Sequence, residues 1–429
     1  MVILLTGASG FIGSRLAAAL QAAGHQVVRA VRHAERTSCS DLFVEVDFVR
    51  DIEVARWLPR LAGIDVVINA VGIIRERGNQ TFEALHHAAP KALFAACSEA
   101  DIELVIQISA LGADEEAQSA YHRSKKAADD YLASLDIRSV ILQPSLVYGA
   151  GGASAGLFNL LASLPVIALP GGGWQRVQPV HIDDVVAAAL AVLSQPLPSG
   201  TRLPVVGLYA ISFRQFLGSL RRNMGLNDGV LLAIPMPFAR LAARAGDMLP
   251  GSLLGEETLQ MLERGNTADA APLTALLQRP PLPVDAFIAE AEAGALRLQA
   301  QLGWLLPLLR LSIAVVWIVT GIVSLGLYPV QQSYLLLERV GFNGALATLL
   351  LYGAALMDIG FGVATLALKR RRLLWLLQIA VIVVYTIIIT VKLPEFWLHP
   401  YGPLLKNLPM LMAIWLLFET EKAHGLHRR

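Results

Sequence analysis

The stretch Val2-Ile3-Leu4-Leu5-Thr6-Gly7-Ala8-Ser9-Gly10-Phe11-Ile12-Gly13-Ser14 decides how this chain of 429 residues is read. Its first five residues are an apolar run of strand length. The run is too short for the apolar region of a signal peptide and has no basic segment before it, so it reads as a buried strand. Gly7, Gly10 and Gly13 follow with GxxGxxG spacing, and a helical pattern opens at Gly13. The first glycine permits a tight turn, the second lets backbone N–H groups approach a pyrophosphate, and the third lets the helix pack close to the strand. The helix N-terminus adds partial positive charge for the phosphates. Placement between a strand and a helix makes the triplet a dinucleotide signal. Gly7, Ser9, Gly10, Phe11, Ile12 and Gly13 are assigned to that cofactor.

Outward from this turn, residues 1–145 alternate apolar runs with helical spacing. Strands are expected at Val2–Thr6, Gln26–Val31, Phe43–Val46, Val66–Asn69, Leu104–Ser109 and Ser139–Gln143, with helices over Gly13–Ala23 and Phe82–Ala100. This alternation implies a parallel sheet covered on both faces and joined by right-handed crossovers. The fold class is α/β, a Rossmann-type doubly wound parallel sheet. From Gly149 turn-rich segments and Pro196, Pro198 and Pro204 break the pattern. Helical patches at Asp184–Leu193, Phe213–Met224 and Gly255–Arg264 build a small second lobe, which ends at Arg279-Pro280-Pro281-Leu282-Pro283. An amphipathic connecting helix over Asp285–Gly303 follows. The expected division is 1–225 for the nucleotide-binding domain with part of the lobe, 226–300 for the remaining lobe and connecting helix, and 304–429 for a membrane domain.

The tail differs in kind. Leu311–Leu337 and Leu373–Val391 carry no charge, Val340–Leu368 carries only Asp358, and Asn407–Phe418 carries none. A membrane helix needs about 20 apolar residues, so a four-helix transmembrane bundle is expected near 308–328, 345–368, 373–392 and 403–420. Five of the seven tryptophans lie from Trp304 onward, several flanking these segments as an interfacial belt does. The net charge of +1 hides an asymmetry: from Trp304 there are 11 Lys and Arg against 5 Asp and Glu, and before it 24 against 29. With both ends of the bundle on one side, that side holds Arg310, Lys369-Arg370-Arg371-Arg372, Lys422, Arg428 and Arg429. The other side holds Arg339, Lys392 and Lys406. The positive-inside rule places the N- and C-termini in the cytoplasm of a bacterial-type inner (plasma) membrane, crossed several times. Cys39 and Cys97 show neither disulfide nor metal spacing, which agrees with a reducing compartment. At 16% charged and 55% hydrophobic residues, the composition excludes a fully soluble, disordered or nucleic-acid-binding chain.

The second strand ends Val27-Val28-Arg29-Ala30-Val31-Arg32-His33 with no acid before Glu35. An NAD site usually places Asp or Glu there for the ribose hydroxyls. Arg32, supported by Arg29 or Arg36, suits a 2′-phosphate instead, so NADP(H) is favoured and NAD(H) is the alternative. Asp47 follows the third strand, where it either contacts the adenine edge or closes a turn. Asn69, Ala70, Val71 and Gly72 end the fourth strand, where small residues let backbone line the nucleotide.

Ser109 ends the fifth strand, and Tyr121 and Lys125 stand one turn apart on the next helix. An ammonium beside a phenol, whose ordinary pKa is about 10, favours the phenolate. Tyr121 is thereby read as proton donor and acceptor, Lys125 as its modifier and a ribose ligand, and Ser109 as the group orienting a substrate oxygen. Asp183 and Asp184 precede a helical run, so capping is their expected role. No metal spacing is visible among the nine histidines, and His181 and His399 read as structural. Asp358 inside a membrane helix marks either a functional site or a buried pair with Lys392 or Lys406.

Thr6–Gly13, Asn69–Gly72, Ser109, Tyr121–Lys125 and Gln143-Pro144-Ser145-Leu146-Val147-Tyr148-Gly149 together resemble the short-chain dehydrogenase/reductase superfamily. The glycine spacing and Pro179–Val185 resemble its extended and atypical branches. Ile108–Ala113 is similar to the branch containing the nucleotide-binding accessory subunit of respiratory complex I. The resemblance covers about residues 1–290 and implies that Pro144 and Val147 lie against the nicotinamide. Gln143 and His86-His87 depart from the residues those branches often use. In the tail, Gly353–Gly360 and His399–Pro409 look like the DoxX-like family of four-helix membrane proteins, whose relatives are linked to quinone-dependent sulfur redox chemistry.

The expected function is a membrane-anchored NADP(H)-dependent oxidoreductase acting on a carbonyl or alcohol of a small apolar substrate, lipid or quinone-like. Its partners are the lipid bilayer and, in one version, a membrane redox complex. The alternatives are a non-catalytic nucleotide-binding assembly or sensor subunit, and a nucleotide-sugar epimerase or dehydratase.

Overall fold

The computed structural model describes residues 1–32, 42–248 and 255–426. Arg36 and Cys39 lie outside them, as do Arg428, Arg429 and the side chain of Lys422. The chain divides into two compact units, Met1–Ala300 and Gln301–Arg429.

The first unit is built on β1 (Val2–Thr6), β2 (Gln26–Val31), β3 (Leu42–Glu45), β4 (Val66–Asn69), β5 (Leu104–Ile108) and β6 (Ser139–Pro144). With the strand Thr201–Val205 they form a parallel sheet of seven described strands, ordered Thr201–Val205, β6, β5, β4, β1, β2, β3. Strands β4, β5 and β6 are buried along their whole length. Alternation along the strands feeds two cores. Ile3, Leu5, Ile68, Ile106 and Leu142 pack on one face with Leu16 and Leu20 of α1 (Phe11–Ala22). Leu4, Val67, Val105 and Ile141 pack on the other with Trp57, Phe94 and Leu132. Pro204, read from sequence as a breaker, lies inside the seventh strand. That strand is at the sheet edge, where one row of N–H groups has no partner strand, so a proline is tolerated.

The helix expected over Phe82–Ala100 is a π-helical turn, Glu83–Ala88, running into Ala89–Glu99. Pro90 has no N–H to donate to the carbonyl of His86, which leaves the ordinary ladder broken there. Asp183 and Asp184 do not cap their helix. His181 is the N-cap, its Nδ1 accepting the N–H of Asp183 at 3.4 Å. Asp184 is buried instead, pairing with Arg279 at 2.7 Å and accepting the N–H of Leu282 at 2.7 Å.

The expected connecting helix and first span are one helix, Glu290–Ile322, with Pro307 inside it. Helices Gly344–Ala367, Arg372–Lys392 and Asn407–Leu426 follow, with a shorter Val330–Val340 before them. Among the described residues, Glu290–Leu327, Gly344–Ala367 and Arg372–Lys392 are long and apolar enough to cross a membrane. A Cβ at Gly321 would stand 2.6 Å from the carbonyl oxygen of Ala355, and one at Gly362 2.8 Å from that of Ala314. These glycines let two helix backbones touch, the usual basis of helix packing in lipid. Arg310 and Arg371 both approach Glu421, at 3.5 and 3.4 Å, and Trp375 Nε1 donates to it at 3.0 Å. Asp358 is buried and among the described residues pairs with neither Lys392 nor Lys406; its Oδ1 has no hydrogen-bond partner.

Candidate functional site

The chain leaves β1 on one side for β2 and returns on the other side to β4, so the topological switch lies between β1 and β4. Ligands of open α/β sheets bind at this point. Thr6 Oγ1 donates to Asn69 Oδ1 at 2.5 Å, and Asn69 Nδ2 donates to Gln107 Oε1 at 2.7 Å. The Asn69 side chain is therefore spent tying β1, β4 and β5 together, while Gly72 lies exposed beyond it. Gly7 has φ +69°, and a Cβ on it would stand 2.7 Å from the backbone of Ala70. A Cβ on Gly13 would stand 2.0 Å from Gly7 O. Helix α1 starts at exposed Gly10 with no side-chain cap and no acid in its first turn. Its first N–H groups are left open to an anion, which fits a pyrophosphate. Ser9 is exposed, Phe11 and Ile12 are half-buried, and Phe11 lies against Gly149 and Gly152.

Arg32 is exposed at the end of β2, and Arg29 donates to Gln21 Oε1 at 3.0 Å. Asp47 serves its own turn: Oδ1 accepts the N–H of Val49 at 3.0 Å and Oδ2 pairs with Arg50 at 3.4 Å. Pro144 is buried at the end of β6, and half-buried Val147 packs against the main core.

Tyr121 and Lys125 lie on the helix Ala120–Ser134, whose N-cap Ser119 accepts the N–H of His122. Lys125 is buried, and Nζ donates to Val71 O and Ile108 O at 3.1 Å each. It thereby holds the loop after β4 against the end of β5. A Cβ on Gly72 would come within 3.4 Å of this ammonium. Burial pulls Lys125 down to about 8, with Asp129 opposing. The expected lowering of Tyr121 is not seen. Burial pushes its phenol up to about 12, and the carboxylates of Asp129 and Glu257 add to this. Tyr121 is thus held protonated, with its ring 5.9 Å from Phe82, 5.3 Å from His86 and 5.2 Å from His122.

The hydroxyl of Ser109, expected from sequence to orient a substrate oxygen, donates to Asp129, a wholly buried carboxylate. Asp129 stands one turn past Lys125 and two past Tyr121 on the same helix, a spacing legible in sequence. His86, a departure from the residues those branches often use, is buried beside Tyr121. Its Nε2 accepts the N–H of Ile73 at 3.0 Å, so Nδ1 carries the proton toward Ser124 Oγ at 3.1 Å. Burial, then the Lys125 charge, drive its pKa down to about 2, so it stays neutral.

Burial raises Asp129 from 3.8 to about 6, against the hydrogen bond from Ser109 and the Lys125 charge. A carboxyl raised by folding contributes stability below its unfolded pKa and loses it as pH rises through the folded value. Two pKa units correspond to about 3 kcal/mol. Between pH 4 and 7 the protein should lose about that much relative to the Asp129→Asn variant. Melting temperatures of both proteins across this range provide the check, and a constant difference would count against the assignment.

The second lobe closes on this helix from far along the chain. Glu257 Oε1 accepts the N–H of Tyr121 at 2.9 Å, Arg264 grips both oxygens of Asp114 at 2.6 and 2.7 Å, and Arg75 pairs with Asp247 at 3.3 Å. Glu257, Arg75 and Asp247 border a cleft of about 500 Å³ that Phe82 and Arg123 also line.

Residues 3–203 match the NAD dependent epimerase/dehydratase family, and residues 314–415 match the DoxX-like family. A ceramide reductase of Caulobacter vibrioides is 32% identical over 214 residues, covering 49% of this chain and 64% of that protein. The mitochondrial NADH dehydrogenase [ubiquinone] 1 alpha subcomplex subunit 9 of Arabidopsis thaliana is 28% identical over 262 residues, covering 58% of this chain and 64% of that protein. The chain thus spans less than two thirds of the length of these two relatives. A Bacillus cereus UDP-glucuronic acid 4-epimerase solved with NAD superposes with a TM-score of 0.53 at 20% identity, covering 70% of this chain and 100% of that one, a likeness of fold alone. The chain joins an NAD-binding domain of the epimerase and short-chain dehydrogenase type to a C-terminal DoxX-like domain.

Proposed function

We propose that the protein is a membrane-anchored, NADP(H)-dependent oxidoreductase acting on a carbonyl or alcohol of an apolar substrate, lipid or quinone-like. The body and C-terminus lie on the cytoplasmic side of a bacterial-type inner membrane. The observation that carries this reading is a buried Lys125 bonded to Ile108 O and to Val71 O, the latter in the loop whose Ala70 packs on Gly7 of the glycine turn, with a protonated Tyr121 one turn earlier on the same helix. Gly7–Gly13, Ala70–Gly72, Pro144 and Val147 would hold the dinucleotide, which supplies the hydride chemistry when bound. Tyr121 donates its proton to a carbonyl oxygen as that oxygen gains charge. Lys125 fixes the two loops around it, and Asp129, through Ser109, fixes the end of β5. The three rings around Tyr121 limit water on its flanks. The apolar substrate is supported by the DoxX-like domain and by the ceramide reductase relative.

NADP(H) preference rests on Arg32 at the end of β2 and the lack of an acid there. Dissociation constants should show NADPH bound more tightly than NADH. Arg32→Ala should weaken NADPH about tenfold, the worth of one charge-assisted bond, and leave NADH unchanged. Tighter NADH binding with an indifferent variant would remove the phosphate assignment.

A non-catalytic NAD(P)H-binding subunit is the second reading, favoured by the commitment of the Ser109 proton to Asp129 and by the Arabidopsis relative. Co-purification with a membrane complex, together with full function of Tyr121→Phe in cells, would select it. An epimerase, which the matching family includes, would release bound cofactor on denaturation without consuming NADPH.

A further inference from the structure

We propose that the second lobe of the first unit inserts an apolar face, Val230–Met248, into the surface of the lipid bilayer. The helix Met236–Asp247 is amphipathic in an inverted sense. Ala239 and Ala243 pack inward on Leu259 of the helix Glu256–Arg264. The opposite stripe, at helical spacing, is Phe238, Leu241, Ala242 and Ala245, continued by Met248. Phe238, Leu241 and Met248 are 66%, 65% and 85% exposed. The strand just before it, Val230–Ile234, pairs on one edge with Val166–Pro170 and leaves Val230, Leu231 and Leu232 exposed.

The charges in this stretch are engaged within the unit. Arg240 reaches Glu263 at 2.9 Å, Arg244 reaches Glu256 at 3.4 Å, and Asp247 pairs with Arg75 at 3.3 Å. The outward stripe is left uncharged and apolar, the pattern of a surface that needs an apolar partner. A bilayer is that partner because the same chain carries three helices able to cross one. Tethering keeps lipid at a high effective concentration around this unit, ahead of any freely diffusing protein. A stripe of Phe, Leu and Met then seats at the boundary between headgroups and acyl chains. With its charges internally paired, the stripe should bind neutral lipid as well as acidic lipid. On the reading of the site as an oxidoreductase for apolar substrates, this face also delivers them, since Asp247 at its end lines one cleft with Glu257, which accepts the backbone N–H of Tyr121.

The test uses the full chain in phosphatidylcholine vesicles at low protein density. Leu241→Cys, in a Cys39→Ser background, carries an environment-sensitive fluorophore, and the vesicles contain nitroxide-labelled phosphatidylcholine. Exposed Glu99 on the helix Ala89–Glu99, replaced as Glu99→Cys, is the control. The Leu241 label should be quenched at least twofold more than the control, independently of salt and of added acidic lipid. Equal quenching at both positions overturns the proposal. Burial of the Leu241 label that grows with protein density also overturns it, by assigning the face to a second copy. Phe238→Asp combined with Leu241→Asp should raise KM for a bilayer-resident ketone about tenfold, leaving NADPH binding unchanged. The quenching needs no turnover, so it stands if the oxidoreductase reading fails. NADPH binding and reduction of a water-soluble ketone stand if docking fails.

Discussion

Tyr121→Phe should lower kcat for a lipid ketone by about 10²–10⁴-fold, the usual worth of a general acid, and leave NADPH affinity unchanged. The substitution removes one hydroxyl and keeps the ring, so the packing against Phe82, His86 and His122 survives. At neutral pH the hydroxyl carries its proton, because burial, Asp129 and Glu257 hold it up to about 12. What is lost is a proton ready for an oxygen that gains charge as hydride arrives, an interaction made in the transition state and absent before it. The effect should therefore appear in kcat with KM little changed. Steady-state kinetics with NADPH titrated by fluorescence gives both readings on one sample. An unchanged kcat would remove Tyr121 from the chemistry and move the protein toward the non-catalytic reading.

Gly13→Ala should weaken nucleotide binding far more than Gly10→Ala. A Cβ at Gly13 would lie 2.0 Å from Gly7 O and 2.7 Å from Gly7 C, both backbone atoms that no rotamer change can move aside. Gly7 itself is held at φ +69° with its Cα against Ala70, so the turn has nowhere to retreat. Overpacking of this kind costs about 1–3 kcal/mol or more, and about 1.4 kcal/mol is tenfold in affinity. Gly10, by contrast, meets only Gly7 O at 3.1 Å and sits at φ −77°, which alanine adopts freely. The expected order is a rise of about 100-fold in the NADPH dissociation constant for Gly13→Ala, with a lower melting temperature, and a far smaller change for Gly10→Ala. Equal behaviour of the two variants would mean that close packing of helix on strand does not shape this turn.

Much of the first unit was legible because its signals are local. Apolar runs bounded by turns gave β1, β2, β4 and β6 within a residue or two. The GxxGxxG spacing needs only the neighbouring strand and helix to be read. The connecting helix, expected over Asp285–Gly303 and separate from the first span, instead starts at Glu290 and runs through Pro307 to Ile322, a continuity that packing decides. Pro204 reads as a breaker, but its tolerance depends on lying in an edge strand, a property of the whole sheet.

The site divides along the same line. Sequence by itself determined the nucleotide turn, the shared helix face of Tyr121 and Lys125, and the apolar, basic tail, because each depends on residues a few positions apart. Only the tertiary structure decided what those groups experience. Glu257 reaches Tyr121 across 136 positions, and Ser109 reaches Asp129 across 20. Burial, with the nearness of Asp129 and Glu257, reverses the expected direction of the Tyr121 shift, and the Ser109 hydroxyl is turned to Asp129. A pKa follows from solvent and charge within a few ångströms, and packing sets which groups come that close.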